Sequence, residues 1–101
     1  LIEQVLINLF RNAVQSFEQP TNRKIWLTGF LMEDRPTISV KDTGSGIEPE
    51  ALEKIFIPFY STKKTGSGIG LSLSRQIMRQ HNGSISVKSA VGAGTEFILR
   101  F

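Results

Sequence analysis

Cysteine is absent from this 101-residue chain. That excludes disulfides and thiolate-bound metals, and leaves any metal to hard oxygen ligands. Histidine occurs once, as His81, so a cluster of imidazole ligands and a Ser/His/Asp hydrolase set have no material to draw on. No uninterrupted apolar run approaches the roughly 20 residues that cross a bilayer, and no charged-then-apolar leader opens the chain, so the segment is expected to be soluble, without membrane contact of its own. The formal charge of +3 and a pI near 9.6 come from scattered Lys and Arg. They form no basic stripe with interleaved aromatics, so nucleic acid is not expected as a partner. Internal repeats, linkers and low-complexity stretches are also missing. What is present, 40% hydrophobic and 21% charged residues, suits a single globular domain over residues 1–101. Leu1 opens in mid-pattern without a cap and Phe101 closes a strand, which reads as a fragment of a longer protein.

Apolar residues Ile2, Val5, Leu6, Leu9, Phe10, Ala13 and Phe17 recur at three- and four-residue steps and predict a helix over 2–17. Gln4, Asn8, Asn12 and Gln15 share another face of it. Lys24 to Leu31 reads as a strand, Glu33-Asp34-Arg35-Pro36 as a turn, and Thr37 to Lys41 as a second strand. Ile38 and Val40 share one face of that strand, and alternation puts Asp42 on the same inward face. Pro49 starts a short helix over 50–56. A further helix over 71–81 carries Leu71, Leu73, Ile77 and Met78 on its core side and stops at Asn82-Gly83. Two strands, 84–89 and 95–101, are joined by Gly92-Ala93-Gly94, a turn too short for a helical crossover, and are therefore antiparallel. Trp26, Phe30 and Phe97 are expected in the core. His81, in the last helical turn, is expected at the surface near a helix C-terminus.

Two glycine-rich segments carry the functional signal. One is Asp42-Thr43-Gly44-Ser45-Gly46-Ile47 and the other is Gly66-Ser67-Gly68-Ile69-Gly70-Leu71. Glycine lets a backbone approach a ligand and aim several N–H groups at it. An inward carboxylate needs a donor, and the exocyclic amino group of a purine would serve, with Ile47 against the ring. The alternative is an Asx turn in which Asp42 bonds its own backbone. The second segment is not a P-loop, because Leu71 follows Gly70 where Lys and then Ser or Thr would stand. It lacks the apolar lead-in strand and third glycine of a dinucleotide fingerprint. What remains is a glycine loop entering a helix, a place that favours an anion, with Lys63 or Lys64 as a mobile charge. Asn8 and Asn12 lie roughly 40° apart on their helix and offer hard carbonyl oxygens of the kind magnesium accepts beside phosphate oxygens. Two solvated residues on an exposed face is the other reading of that pair.

The ordered series Asn8-x-x-x-Asn12-Ala13, Asp42-x-Gly44-x-Gly46, Phe56-x-x-Phe59 and Gly66-x-Gly68-x-Gly70-Leu71 resembles the N, G1, F and G2 boxes of the catalytic ATP-binding domain of bacterial sensor histidine kinases. The resemblance covers nearly the whole chain and includes the closing Gly94-Thr95-Glu96-Phe97. It implies an α/β fold, an α+β two-layer sandwich with a mixed sheet and helices packed on one face, shared with gyrase, mismatch-repair ATPases and the large heat-shock chaperones. It also implies the cofactors ATP and Mg2+. Asn12 would bind the metal and Asn8 would support the phosphates. Asp42 would take the adenine amino group, with Thr95 nearby and Ile47 on the ring. Gly44 and Gly46 shape that end of the pocket, while Gly66, Gly68, Gly70 and Leu71 form the phosphate lid and Lys63 reaches a terminal phosphate.

Related ATPases place Glu four residues before the magnesium Asn to activate water, but Asn8 stands there and is no base at neutral pH. Poor hydrolysis and phosphoryl transfer to a partner are therefore expected. A serine kinase or ATPase of the same fold and a non-catalytic docking module are the alternatives. Gln15 and Ser16 depart from the Lys and Tyr of many family members, which shifts the phosphate contact toward Lys63 and Arg11. The phosphoacceptor histidine is not in this chain. The resemblance implies that it lies on separate dimerisation helices of the same protein, a homodimer that signals to a response regulator. The catalytic segment would be cytoplasmic even where the parent is anchored in a membrane.

Overall fold

The computed structural model describes residues 1–18, 22–60 and 70–101. Helix α1 runs Ile2–Ser16, strands β1 and β2 run Ile25–Met32 and Arg35–Asp42, and a short helix α2 runs Pro49–Leu52. Helix α3 (Gly70–Gln80) and strands β3 (Ser84–Ala90) and β4 (Gly94–Arg100) complete the chain. The strands lie in the order β1-β2-β4-β3 and every pairing among them is antiparallel. Helices cover one face, as a two-layer sandwich requires.

The mixed sheet that the resemblance implied is not seen among these described strands. Strands β2 and β3, joined through α2 and α3, run in the same direction, but the last strand inserts between them. A hairpin from β3 returns β4 into the gap, so the parallel pair never meets edge to edge.

The core follows from periodicity. Val5 and Leu9 of α1, Ile77 and Met78 of α3, Val40 of β2, and Phe97 and Leu99 of β4 form one buried cluster with Ile55. Alternation along β2 sends Val40 and Asp42 to this face, and Asp42 is only 3% exposed. Three expectations need correction. Trp26 and Phe30 are 45% and 40% exposed, because register places them opposite Lys41 and Thr37 on the face with no helix layer. Lys41 lies over the Trp26 ring, 6.0 Å from its centroid. On α3, Leu73 is exposed at 40% while Ser74 is fully buried, since the face turned to α1 runs through Gly70, Ser74 and Met78.

The helix expected over 50–56 stops at Leu52. Beyond it the amides of Lys54, Ile57 and Tyr60 bond carbonyls three residues back, and Phe59 takes a positive φ of 69°. Pro58 cannot donate and disfavours helical geometry at Ile57, so the chain turns in steps. The β1–β2 turn uses Glu33 and Asp34 at positive φ (52° and 63°), a two-residue hairpin whose twist suits the strands. Helix α3 ends with Asn82, φ 58°, in the left-handed position, and the Gly83 amide bonds the Met78 carbonyl at 2.8 Å. His81 is exposed in the last turn, with Nδ1 2.9 Å from the Ile77 carbonyl.

Candidate functional site

A cavity of about 320 Å³ opens between the helices and the inner face of the sheet. Its lining includes Asn12 from α1, Asp42 from the end of β2, Gly46 and Ile47 from the following loop, Gly70 and Leu71 from the start of α3, and Thr95 from β4. Elements far apart in sequence thus bring seven predicted site residues to one space. Asn8 and Gly44 are not among the lining residues. Lys63, Gly66 and Gly68 lie outside the described residues.

At one end, Asp42 and Thr95 are direct cross-strand partners, buried side by side at 3% and 5% exposure. Asp42 Oδ1 accepts the Gly44 amide at 2.8 Å and the Ser16 hydroxyl at 3.4 Å. The first bond is the Asx turn anticipated as an alternative for Asp42, and it coexists with the placement of the carboxylate on the cavity. A carboxylate has two oxygens with about four lone-pair sites, so the Asx turn does not by itself bar a further donor.

The loop after Asp42 is bound on both sides. Its Ser45 amide donates to the Ser16 carbonyl (2.9 Å), the Gly92 amide donates to the Ser45 carbonyl (2.8 Å), and the Ile47 amide donates to Ser89 Oγ (2.8 Å). A Cβ added at Gly44 would stand 1.9 Å from Ser16 Oγ, and one at Gly46 would stand 2.1 Å from the Ala90 carbonyl oxygen. Gly46 also holds φ at +80°. These two glycines make room for the protein itself: one for the end of α1, the other for the β3–β4 hairpin.

The other wall is built differently. Asn8, 8% exposed, donates from Nδ2 to the Gly70 carbonyl and to Ser74 Oγ, both at 3.2 Å, and accepts Gln4 Nε2 at 3.4 Å. Ser74 in turn donates to the Gly70 carbonyl at 2.8 Å. The solvated-face reading of the asparagine pair is therefore corrected for Asn8, which is buried against α3 and ties α1 to that helix's start. A Cβ at Gly70 would meet its nearest neighbour, Asn8 Cγ, at 3.7 Å, an ordinary contact.

Sequence reasoning gave no role to Ser89 or Ser74 and treated Ser16 only as a departure from the family. Signals for two of them were present. Ser16 continues the four-residue step of Asn8 and Asn12, and Ser89 continues the inward alternation of Ile85 and Val87. Gln15, Glu18, Glu48 and Tyr60 also line the cavity. Among the described residues no group of three or more His, Cys, Asp or Glu could hold a metal. Asn12, which lines the cavity, carries a hard amide oxygen of the kind that can join a bound polyphosphate around a divalent ion.

Residues 1–101 match the family model described as histidine kinase-, DNA gyrase B- and HSP90-like ATPase. The chain belongs to that family. Its relatives identify it as an ATP-binding catalytic domain of the histidine kinase type. The sensor protein FixL of Bradyrhizobium diazoefficiens is 39% identical over 97 residues, 95% of this chain and 19% of FixL. The catalytic domain of the histidine kinase ThkA superposes with a TM-score of 0.82 at 39% identity, covering 99% of this chain and 64% of that one. Full-length ShkA, solved in complex with AMPPNP, gives a TM-score of 0.83 at 31% identity over 98% of this chain and 20% of its own. The chain therefore spans about a fifth of the curated relative it matches. None of its described helices is long and apolar enough to cross a membrane.

Proposed function

We propose that this domain binds Mg-ATP and delivers the γ-phosphoryl group to a histidine on a separate dimerisation segment of its parent protein. The observation that carries the reading is the cross-strand pair Asp42 and Thr95, buried at one end of a cavity that Asn12 and the start of α3 also line. Adenine would bring its amino group to Asp42 and lay its ring against Ile47. The phosphates would extend toward Asn12, Gly70 and Leu71, with Gly66 and Gly68 of the glycine loop around them. The described lining offers Glu18, Asp42 and Glu48 but no Lys or Arg, so neutralising the phosphates falls to a magnesium ion at Asn12 and to Lys63. Magnesium supplies charge stabilisation as the phosphoryl group leaves ADP. Full-length ShkA, which contains a domain similar to this one, was solved with AMPPNP, which is in keeping with nucleotide binding here.

Transfer to a partner, with little hydrolysis, is supported by Asn8. The place where a water-activating Glu would stand holds a buried amide already bonded to Gly70 and Ser74. The parent is read as a homodimer whose phosphohistidine serves a response regulator, with this catalytic segment in the cytoplasm.

Mg-ATP at about 100 times its dissociation constant is expected to stabilise the fold by about 2.7 kcal/mol, read as a rise in Tm. An unchanged Tm would refute the reading. Asn12→Ala is expected to lose mainly the magnesium-dependent part of ATP binding, and Asp42→Ala to weaken ADP and ATP alike; in Asn12→Ala, equal loss with and without magnesium would remove the metal assignment.

A further inference from the structure

Three inward side chains form a row across the sheet beside the cavity, Asp42 on β2, Thr95 on β4 and Ser89 on β3, each the register partner of the next; the first two line the cavity. Ser89 does not line the cavity, yet its hydroxyl is fully engaged. Its Oγ lies 2.8 Å from the Ile47 amide, 2.9 Å from the Gly94 carbonyl oxygen and 2.9 Å from Thr95 Oγ1. A serine hydroxyl has one hydrogen and two lone pairs. The Ile47 amide can only donate and the Gly94 carbonyl can only accept, so the Ser89 hydrogen goes to Gly94 and one lone pair goes to Ile47. The third contact is then a hydrogen from Thr95 to the remaining lone pair of Ser89. With that hydrogen held, Thr95 Oγ1 presents lone pairs to the cavity it lines.

We propose that Ser89 is a positioning residue for base selection. By holding the hydroxyl hydrogen of Thr95 it makes Thr95 an acceptor beside the acceptor Asp42, so this end of the cavity takes a 6-amino purine and rejects a 6-oxo purine. The inference rests on the reading of Asp42 as the base-recognising residue. A 6-amino group offers two hydrogens to this pair of acceptors. A 6-oxo group sets its own lone pairs against them, and a buried polar group without a partner is costly. Without Ser89 the Thr95 hydroxyl is free to rotate and donate, which would relieve the clash with a 6-oxo base.

The test is titration of the chain with Mg-ATP and with the magnesium complex of inosine triphosphate, taking the ratio of the two dissociation constants. The unaltered protein is expected to favour ATP clearly. In Ser89→Ala the ratio is expected to fall about tenfold, and Ser89→Thr, which keeps the hydroxyl, to restore it. In a Thr95→Val background, Ser89→Ala is expected to leave the ratio unchanged, since the path through Thr95 is gone. Ser89→Cys keeps the side-chain shape with only weak hydrogen bonds, so it serves if Ser89→Ala does not fold, and its ratio is expected to fall in the same direction.

A folded Ser89→Ala or Ser89→Cys with the full ratio overturns the proposal, even if its Tm drops, because Ser89 would then be structural support alone. Binding of both nucleotides by the unaltered protein with equal affinity overturns the proposal and leaves nucleotide binding standing. Failure of the unaltered protein to bind either one overturns both.

Discussion

The two walls of the cavity are held by different means. On the sheet side, residues 43–47 are locked between the end of α1 and the β3–β4 hairpin by backbone hydrogen bonds and by glycines whose missing Cβ atoms the protein itself fills. On the helix side, the start of α3 is joined to α1 through the buried Asn8 amide, and a Cβ at Gly70 would meet that Asn8 side chain only in ordinary contact. One wall is thus pre-shaped, at the end where a base would be read. The other rests on a side-chain tether, at the end where phosphates would lie. The difference teaches that glycines in similar-looking segments can serve different needs: Gly44 and Gly46 yield space that the protein fills, whereas Gly70 does not.

The sharpest way to break this comparison is Gly46→Ala. The new methyl would have to enter the space of the Ala90 carbonyl with φ held at +80°, so the loop or the hairpin must give way. A loss of about 2–4 kcal/mol is expected from overpacking and left-handed strain together, read by denaturant or thermal unfolding. A smaller effect is expected for Asn8→Ala, about 1–2 kcal/mol. Ser74 still donates to the Gly70 carbonyl in that variant, so this wall loses its tether without orphaning every partner. A loss as large as that of Gly46→Ala would show that both walls are equally built in. The smallest effect belongs to Gly70→Ala. With its nearest neighbour at 3.7 Å, the added methyl is expected to change stability by less than about 1 kcal/mol in either direction. Mg-ATP binding by the same variant, measured by titration, is expected to weaken, because the methyl would stand against the Asn8 side chain that ties the start of α3 to α1. A folded Gly70→Ala with undiminished binding would remove Gly70 from the phosphate end.

Much of this was legible along the chain. The helical step of Val5, Leu9 and Ala13 marked α1, and the alternation of Ile38, Val40 and Asp42 aimed a carboxylate inward before any sheet was seen. From the glycine segments and the asparagine pair, Asn12, Asp42, Gly46, Ile47, Gly70 and Leu71 line the cavity, while Asn8 and Gly44 do not. Local patterns of this kind are readable because helix and strand geometry dictate which side chains share a face. They do not say which face is covered. Trp26 and Phe30 lie on a regular strand face and are exposed because the helices pack on the other side. Leu73 is one position away from the buried Ser74, which lies on the α3 face turned to α1 and accepts the Asn8 amide there.

By itself the sequence determined the elements, the inward carboxylate and the family, since each depends on the order and spacing of neighbouring residues. Tertiary structure alone decided that β4 inserts between β2 and β3, that Gly44 and Gly46 yield space to the protein, and that Ser89 completes a row with Thr95 and Asp42. Those outcomes depend on pairing between residues tens of positions apart, where hydrogen-bond capacity and steric room are settled only once the strands and helices have met.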